Sequence, residues 1–196
     1  TGCHVFITAS AIGYYGTSEE RRFVVGDEPG HDFLADLCVD WEAARQAALD
    51  AAGVRTATIR IGVVQGLGDG ALQKMLLPFK LGVGGPMGHG RQWVSWIHLD
   101  DLLAMFLWVL ENDEAGGEYN GTAPCPVVNA ELARTLGRVL HRPAVIPMPS
   151  IVLRLALGEV ADVVLDGQHV TPARALASGF TFRFPELEPA LRALLL

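Results

Sequence analysis

The chain has 196 residues, half of them hydrophobic, with 15 Lys and Arg against 22 Asp and Glu for a formal net charge of −7. That is enough apolar material for one domain or one and a half, and an acidic balance without any basic run argues against nucleic acid and anionic membranes as partners. Cys3, Cys38 and Cys125 are odd in number, far apart and without a C-x-x-C, which fits reduced thiols in a cytoplasmic protein.

The first segment, TGCHVFITASAIGYYG, carries a run from Cys3 to Thr8 that reads as a strand buried on both faces. Such strands lie inside parallel sheets, where helices cover both sides. The strand runs into a turn with Ser10, Tyr14 and Tyr15. Thr17 to His31 reads as an acidic surface loop. A helix follows over about 32–52, in which Phe33, Leu34, Leu37, Trp41, Ala44 and Ala48 recur at helical spacing. Gly53 ends it, and TATIRIGVV is β-branched enough for the next parallel strand. Strand, helix and strand make a right-handed crossover unit.

Further along come a glycine turn, a helix over Ala71 to Lys80, a Gly/Pro loop from Gly82 to Gly90, and a short strand WVSWIH. Asp100 or Asp101 is placed to cap the apolar helix LLAMFLWVLEN. Its longest apolar run, Leu102 to Leu110, is too short to span a bilayer. EYNGTA is strand-like, and Asn129 is placed to cap AELARTLGRVL. From Pro147 short helices alternate with Pro and Gly, ending in FTFRF and ELEPALRALL.

These pieces predict an α/β fold with too few strands for a complete doubly wound sheet. The chain also begins without methionine or a cationic leader. The expectation is therefore the back part of a longer fold, as a fragment or a truncated product. A first strand of this kind would then recruit the missing part or a second copy.

Two glycine clusters invite a phosphate-loop reading. Gly66 to Ala71 follows a strand and opens a helix, but no second hydrophobic strand ending in an acid follows about 20 residues on. GVGGPMGHG follows a helix, contains Pro86 and opens no helix, so it reads as a mobile loop beside a ligand site. The six histidines show no metal-binding spacing. His98 with Asp100 and Asp101 comes nearest, and a strand-end histidine beside a helix cap is the simpler reading. No metal is expected.

TASAIGYYG, RIGVVQG, GRQWVSWIHLDDL, NGTAPCPVVNAE and GFTFRFPELEPALRALL, in this order, resemble the second half of an extended short-chain dehydrogenase/reductase. The type is the nucleoside-diphosphate-sugar epimerase, in its atypical branch with an extra C-terminal domain of unknown function. The resemblance implies the C-terminal half of a Rossmann-like doubly wound parallel sheet with a smaller α/β substrate and C-terminal part. Residues 1–66 would be the remainder of the NAD(P)-binding domain, 67–146 the substrate-binding region and 147–196 the extra domain. It implies NADP(H) as cofactor and a nucleotide sugar or similar small molecule as substrate. Such proteins begin with four further strands and a glycine turn that holds the cofactor pyrophosphate on a helix N-terminus, none of which is read in this sequence; Gly66 to Ala71 has the strand–turn–helix context but not the acid-ended second strand.

By resemblance Ser10 orients the substrate, Arg60, Gly62 and Val63 lie against the cofactor, and Gln92, Ser95, Trp96 and His98 line the substrate strand. Ordinary members place Tyr-x-x-x-Lys on the helix FLADLCVDWEAA. Here those positions hold Leu37 and Trp41, neither of which can transfer a proton. Tyr14 or Tyr15 is a substitute acid if its pKa is lowered, or both simply pack the turn. Arg60 faces a cofactor phosphate, in which case Arg60→Ala would cost the empty protein little stability, or it closes a salt bridge to an acid such as Glu42. Two functions stay open: a redox or isomerising enzyme, and a catalytically silent dinucleotide-sensing or interaction module.

Overall fold

The computed structural model describes residues 2–49, 53–68, 70–158, 161 and 165–196. Its centre is a parallel sheet of three strands, β1 (Val5–Ala11), β3 (Arg55–Ile61) and β7 (Gly117–Gly121), in the order β1-β3-β7. Side chains alternate across β3. Ala57 and Ile59 join a core with Leu102, Met105 and Val109 of helix α3 (Leu99–Glu111), whereas Arg60 points to helix α1 (Phe33–Leu49) on the other face. Helices on both faces of a parallel sheet make this the doubly wound α/β class.

β3 is buried along most of its length, as its β-branched run demands. β1 is not buried on both faces as expected. Among the described residues it pairs only with β3, and Phe6 is 43% exposed. The helix expected to reach about residue 52 is described as far as Leu49, and residues 50–52 lie outside the described set.

A second core joins helices α2 (Ala71–Lys80), α4 (Asn129–Leu140) and α7 (Leu187–Leu195) through Leu72, Leu76, Phe79, Leu132, Leu136 and Leu191. Short helices α5 (Ser150–Leu157) and α6 (Ala173–Ala177) lie between α4 and α7 in the chain. None of the described helices is long and apolar enough to cross a membrane.

Several local expectations are corrected by long-range pairing. The acidic stretch after Thr17 contains strand β2 (Ser18–Phe23), parallel to β9 (Gln168–Val170). WVSWIH is two strands, because Ser95 turns away to bond the β9 backbone: its Oγ donates to Gln168 O (2.7 Å) and accepts from Val170 N (2.8 Å). β5 (Trp93–Val94) pairs antiparallel with β8 (Val127–Val128), and β6 (Trp96–His98) pairs parallel with β4 (Val63–Gln65).

The cap of α3 is His98, whose Nδ1 accepts from Asp100 N at 3.0 Å. Asp101 instead accepts from the backbone N–H groups of Arg183 (2.8 Å) and Phe184 (2.9 Å), so FTFRF is a clasped irregular segment with buried phenyl rings. Asn129 does not cap α4 either; its Oδ1 accepts from Met87 N.

That last contact belongs to a further correction. The Gly82 to Gly90 loop is pinned, with Ile146 N donating to Gly84 O, Met148 N to Pro86 O and Gly88 N to Met148 O. A Cβ on Gly85 would meet Ile146 O at 2.1 Å, so glycine permits the close approach there.

Candidate functional site

The polar row of the sheet builds the site. Parallel register sets Ser10 opposite Arg60 and Arg60 opposite Asn120, near the carboxyl ends of β1, β3 and β7. Open α/β folds place ligands beyond those ends. All three side chains project to one face because the register is in phase, and α1 delivers Glu42 onto them.

Arg60 Nε donates to Glu42 Oε1 (3.0 Å) and its Nη2 to Oε2 (2.8 Å), a bidentate pair with side chains only 5% and 11% exposed. Ser10 Oγ donates to Glu42 Oε1 at 2.7 Å. Arg60 Nη1 donates to Tyr15 Oη (3.0 Å), Tyr15 donates to Asn120 Oδ1 (2.8 Å), and Asn120 Nδ2 donates to Thr171 O (3.1 Å). The Arg60 guanidinium also stacks on Tyr14, 3.4 Å from the ring centroid. Burial opposes the Arg60 charge, but its bonds to Glu42 and Tyr15 more than offset this and raise its pKa above the ordinary value.

The network opens on a cleft of about 340 Å³ lined by Tyr14, Val39, Glu42, Arg60, Glu118 and the loop at 25–28. Glu42 Oε1 is taken by Ser10 and Arg60, while Oε2 has one donor among the described residues and keeps a lone pair that a ligand hydroxyl can use.

This geometry sorts the expected site residues. Ser10, Tyr14, Tyr15 and Arg60 come together. Tyr15 is not a weakened phenol: burial raises its pKa, only partly opposed by Arg60, so it remains a protonated hydrogen-bond donor. Arg60 takes the salt bridge to Glu42 rather than a free phosphate-facing position. Gly62 is a packing glycine, since a Cβ there would meet Ser95 O at 2.2 Å. Val63, 36% exposed, pairs with Trp96 in the β4–β6 ladder.

The side chains of the expected substrate strand are packed inside, with Gln92 at the floor of a small cleft beside Ser18, Glu19 and Asp166. Gln92, Ser95, Trp96 and His98 are all buried. Gln92 Nε2 donates to Met87 O, and Trp96 Nε1 donates to Cys125 O. His98 stacks on Phe184 with centroids 4.1 Å apart, and burial lowers its pKa against the pull of Asp100 and Asp101. Among the described residues, no group of three or more His, Cys, Asp or Glu is placed to hold a metal. Periodicity singles out neither Glu42 nor Asn120: Glu42 enters the sequence reading as a possible partner of Arg60, and Asn120 only as part of EYNGTA.

Leu37 and Trp41 are 49% and 59% exposed on α1, the helix that carries Glu42. The side of α1 where ordinary reductases hold Tyr and Lys is thus open and apolar.

Comparisons with known proteins bear on the family and the fold. Residues 148–194 match a family described as a domain of unknown function, DUF1731. The chain is 47% identical over 192 residues to the chloroplastic epimerase family protein SDR39U1 homolog of Arabidopsis thaliana, which covers 97% of this chain and 54% of that protein. It superposes on human epimerase family protein SDR39U1, solved with NADPH, with a TM-score of 0.93 and 40% identity, over 97% of this chain and 65% of that one. A nucleoside-diphosphate sugar epimerase from Corynebacterium glutamicum matches over all of this chain and 38% of its own, at 33% identity and a TM-score of 0.78. The chain therefore spans less than two thirds of each of these proteins. With the motif order and these likenesses in agreement, the chain matches, over nearly its whole length, the epimerase-like family of short-chain dehydrogenase/reductases, and its residues 148–194 match the additional domain of unknown function.

Proposed function

We propose that the protein is an NADP(H)-binding, epimerase-like protein that handles a nucleotide sugar or a similar small molecule without the usual tyrosine acid. The observation that carries this reading is the face of α1. It presents Leu37 and Trp41 to solvent while the next residue, Glu42, ties Ser10 to Arg60. The human relative was solved with NADPH, and the C. glutamicum relative is a nucleoside-diphosphate sugar epimerase.

The residues present fit the nicotinamide end of such a cofactor. An open apolar face and a partly exposed Val63 suit a flat ring, with Ser10 held in one orientation by Glu42. They do not fit its phosphates, because Arg60 is already neutralised. The bound cofactor would supply hydride exchange. Ser10 would orient a ligand carbonyl or hydroxyl through its free lone pairs, and Glu42 Oε2 would accept from a ligand hydroxyl in the cleft.

A second reading, a dinucleotide-sensing or interaction module, is favoured by the same face, since no side chain there moves a proton. Calorimetric titration of NADPH into a protein of the relatives' full length tests the proposal. Saturable binding weakened at least tenfold by Leu37→Asp is expected, and absent binding or indifference to that change would overturn it. Binding without turnover of any nucleotide sugar would select the second reading.

A further inference from the structure

A second cleft lies on the outer side of α4, away from the polar row. His141 closes that helix in the left-handed conformation (φ 52°, ψ 44°), and the chain folds back so that Arg142 N donates to Gly137 O at 2.9 Å. A Cβ on Gly137 would lie 2.8 Å from Ala144 Cβ and from Arg142 O. The glycine therefore brings the returning chain onto the helix. Between them is an open space of about 520 Å³, with Gly137, Ala144 and Val145 as its apolar part and Arg134, Arg138, His141 and Arg142 around it. That volume suits a small ligand.

The charge balance of this wall is opposite to that of the whole chain. Glu131 pairs with Arg134 (3.0 Å) and Arg138 (3.4 Å), while Glu188 pairs with Arg138 (3.2 Å) and Arg192 (2.8 Å). The three arginines of the wall and the neighbouring Arg192 stand against Glu131 and Glu188, a local charge of +2 on a protein of net charge −7. Among the described residues the Arg142 guanidinium donates to the carbonyl of its own neighbour His141, at 3.4 Å, and meets no carboxylate. Guanidinium forks are suited to the tetrahedral oxyanions of phosphate. The carbonyl end of α4 opposes an anion here by a partial charge of about half a unit, against the full charges of three arginine side chains.

We propose that this cleft is a binding site for a small phosphorylated ligand, with Arg142 as its free cation and Arg134 and Arg138 as partners that exchange a glutamate for the ligand. The proposal is separate from the cofactor reading and stands or falls without it. Inorganic pyrophosphate titrated into the 196-residue chain at constant ionic strength, followed through the backbone amides of Gly137 and Ala144, tests it. Saturable shifts are expected at those amides, with a Kd raised at least tenfold by Arg142→Glu and by Arg134→Glu. Arg183→Glu, at an exposed arginine elsewhere, should leave the Kd unchanged. Arg142→Gln, which removes the charge without adding a repulsive one, should weaken binding in the same direction should either glutamate variant misfold. Shifts that do not saturate, that sulfate reproduces in full, or that persist in both Arg142 variants would overturn the site.

Discussion

Two polar stretches of this chain look equally functional in sequence, the row Ser10–Arg60–Asn120 and the strand Gln92 to His98, yet they do different work. The first lies across the carboxyl ends of three parallel strands, and its partners Glu42 and Tyr14 line an open cleft. The second is buried, and several of its polar atoms hold the fold: Ser95 bonds β9, Trp96 bonds Cys125 O, and His98 caps α3. A polar side chain in a buried strand is therefore not evidence for a ligand. Whether it faces the ends of the sheet or a crossing segment decides.

The largest effect that would break this contrast is expected at Arg60. Changing it to Ala leaves Glu42 buried and uncompensated, so denaturant unfolding should show a loss of about 3–5 kcal/mol. This replaces the expectation that the empty protein would hardly notice the change. An unaltered midpoint would return Arg60 to the role of a ligand group. Next is Asp101→Ala, which strips the acceptor from two backbone N–H groups at 183 and 184. With each hydrogen bond to a charged group worth about 1.5–3 kcal/mol and some recovery from water, a net loss of about 3 kcal/mol is expected. Limited proteolysis should then release the C-terminal segment before the central sheet opens.

Ser95→Ala sharpens the comparison from the other side. It removes one donor and one acceptor from the β9 contact and should cost about 1–2 kcal/mol of stability by thermal melting. It should leave ligand binding in the Tyr14–Glu42 cleft unchanged, whereas a ligand defect at full stability would make the strand functional after all. The smallest effect is pH-dependent. Burial lowers the His98 pKa below its usual value of about 6.5, so the unfolded chain binds a proton there that the folded chain refuses. Stability from this group is present above pH ~6.5 and declines as pH falls toward the lower folded value. His169, lowered mainly by burial and also by Arg22, acts in the same direction. His98→Asn, which retains a capping side chain, should flatten part of that slope.

Much of the fold is legible in the sequence where periodicity is local. The helix over Ala71 to Lys80 and the strands through Ile59 and Tyr119 stand where their apolar patterns put them. What escapes is decided by residues far away in the chain. SEERRF becomes a strand because Gln168 to Val170 pairs with it, and the glycine loop is fixed because residues 146–148 bond it. The capping roles move for the same reason: Asp101 and Asn129 look like caps locally, but distant backbone N–H groups claim them. In the site, Ser10, Tyr14 and Arg60 are legible, and Glu42 appears only as one of two partners for Arg60. Parallel register turns that choice into a single geometry.

The central claim is that the apolar face of α1 receives the cofactor while the Ser10–Glu42–Arg60 network stays closed as a structural unit. Trp41 is the natural reporter, being 59% exposed on that face while Trp96 is fully buried and Trp93 stacks on His169. In a protein of the relatives' full length, NADPH should quench indole fluorescence saturably by energy transfer, and Trp41→Phe should remove most of that quenching while leaving the melting temperature within about 2 °C. Quenching that survives Trp41→Phe unchanged, or no saturable quenching at all, would contradict the account.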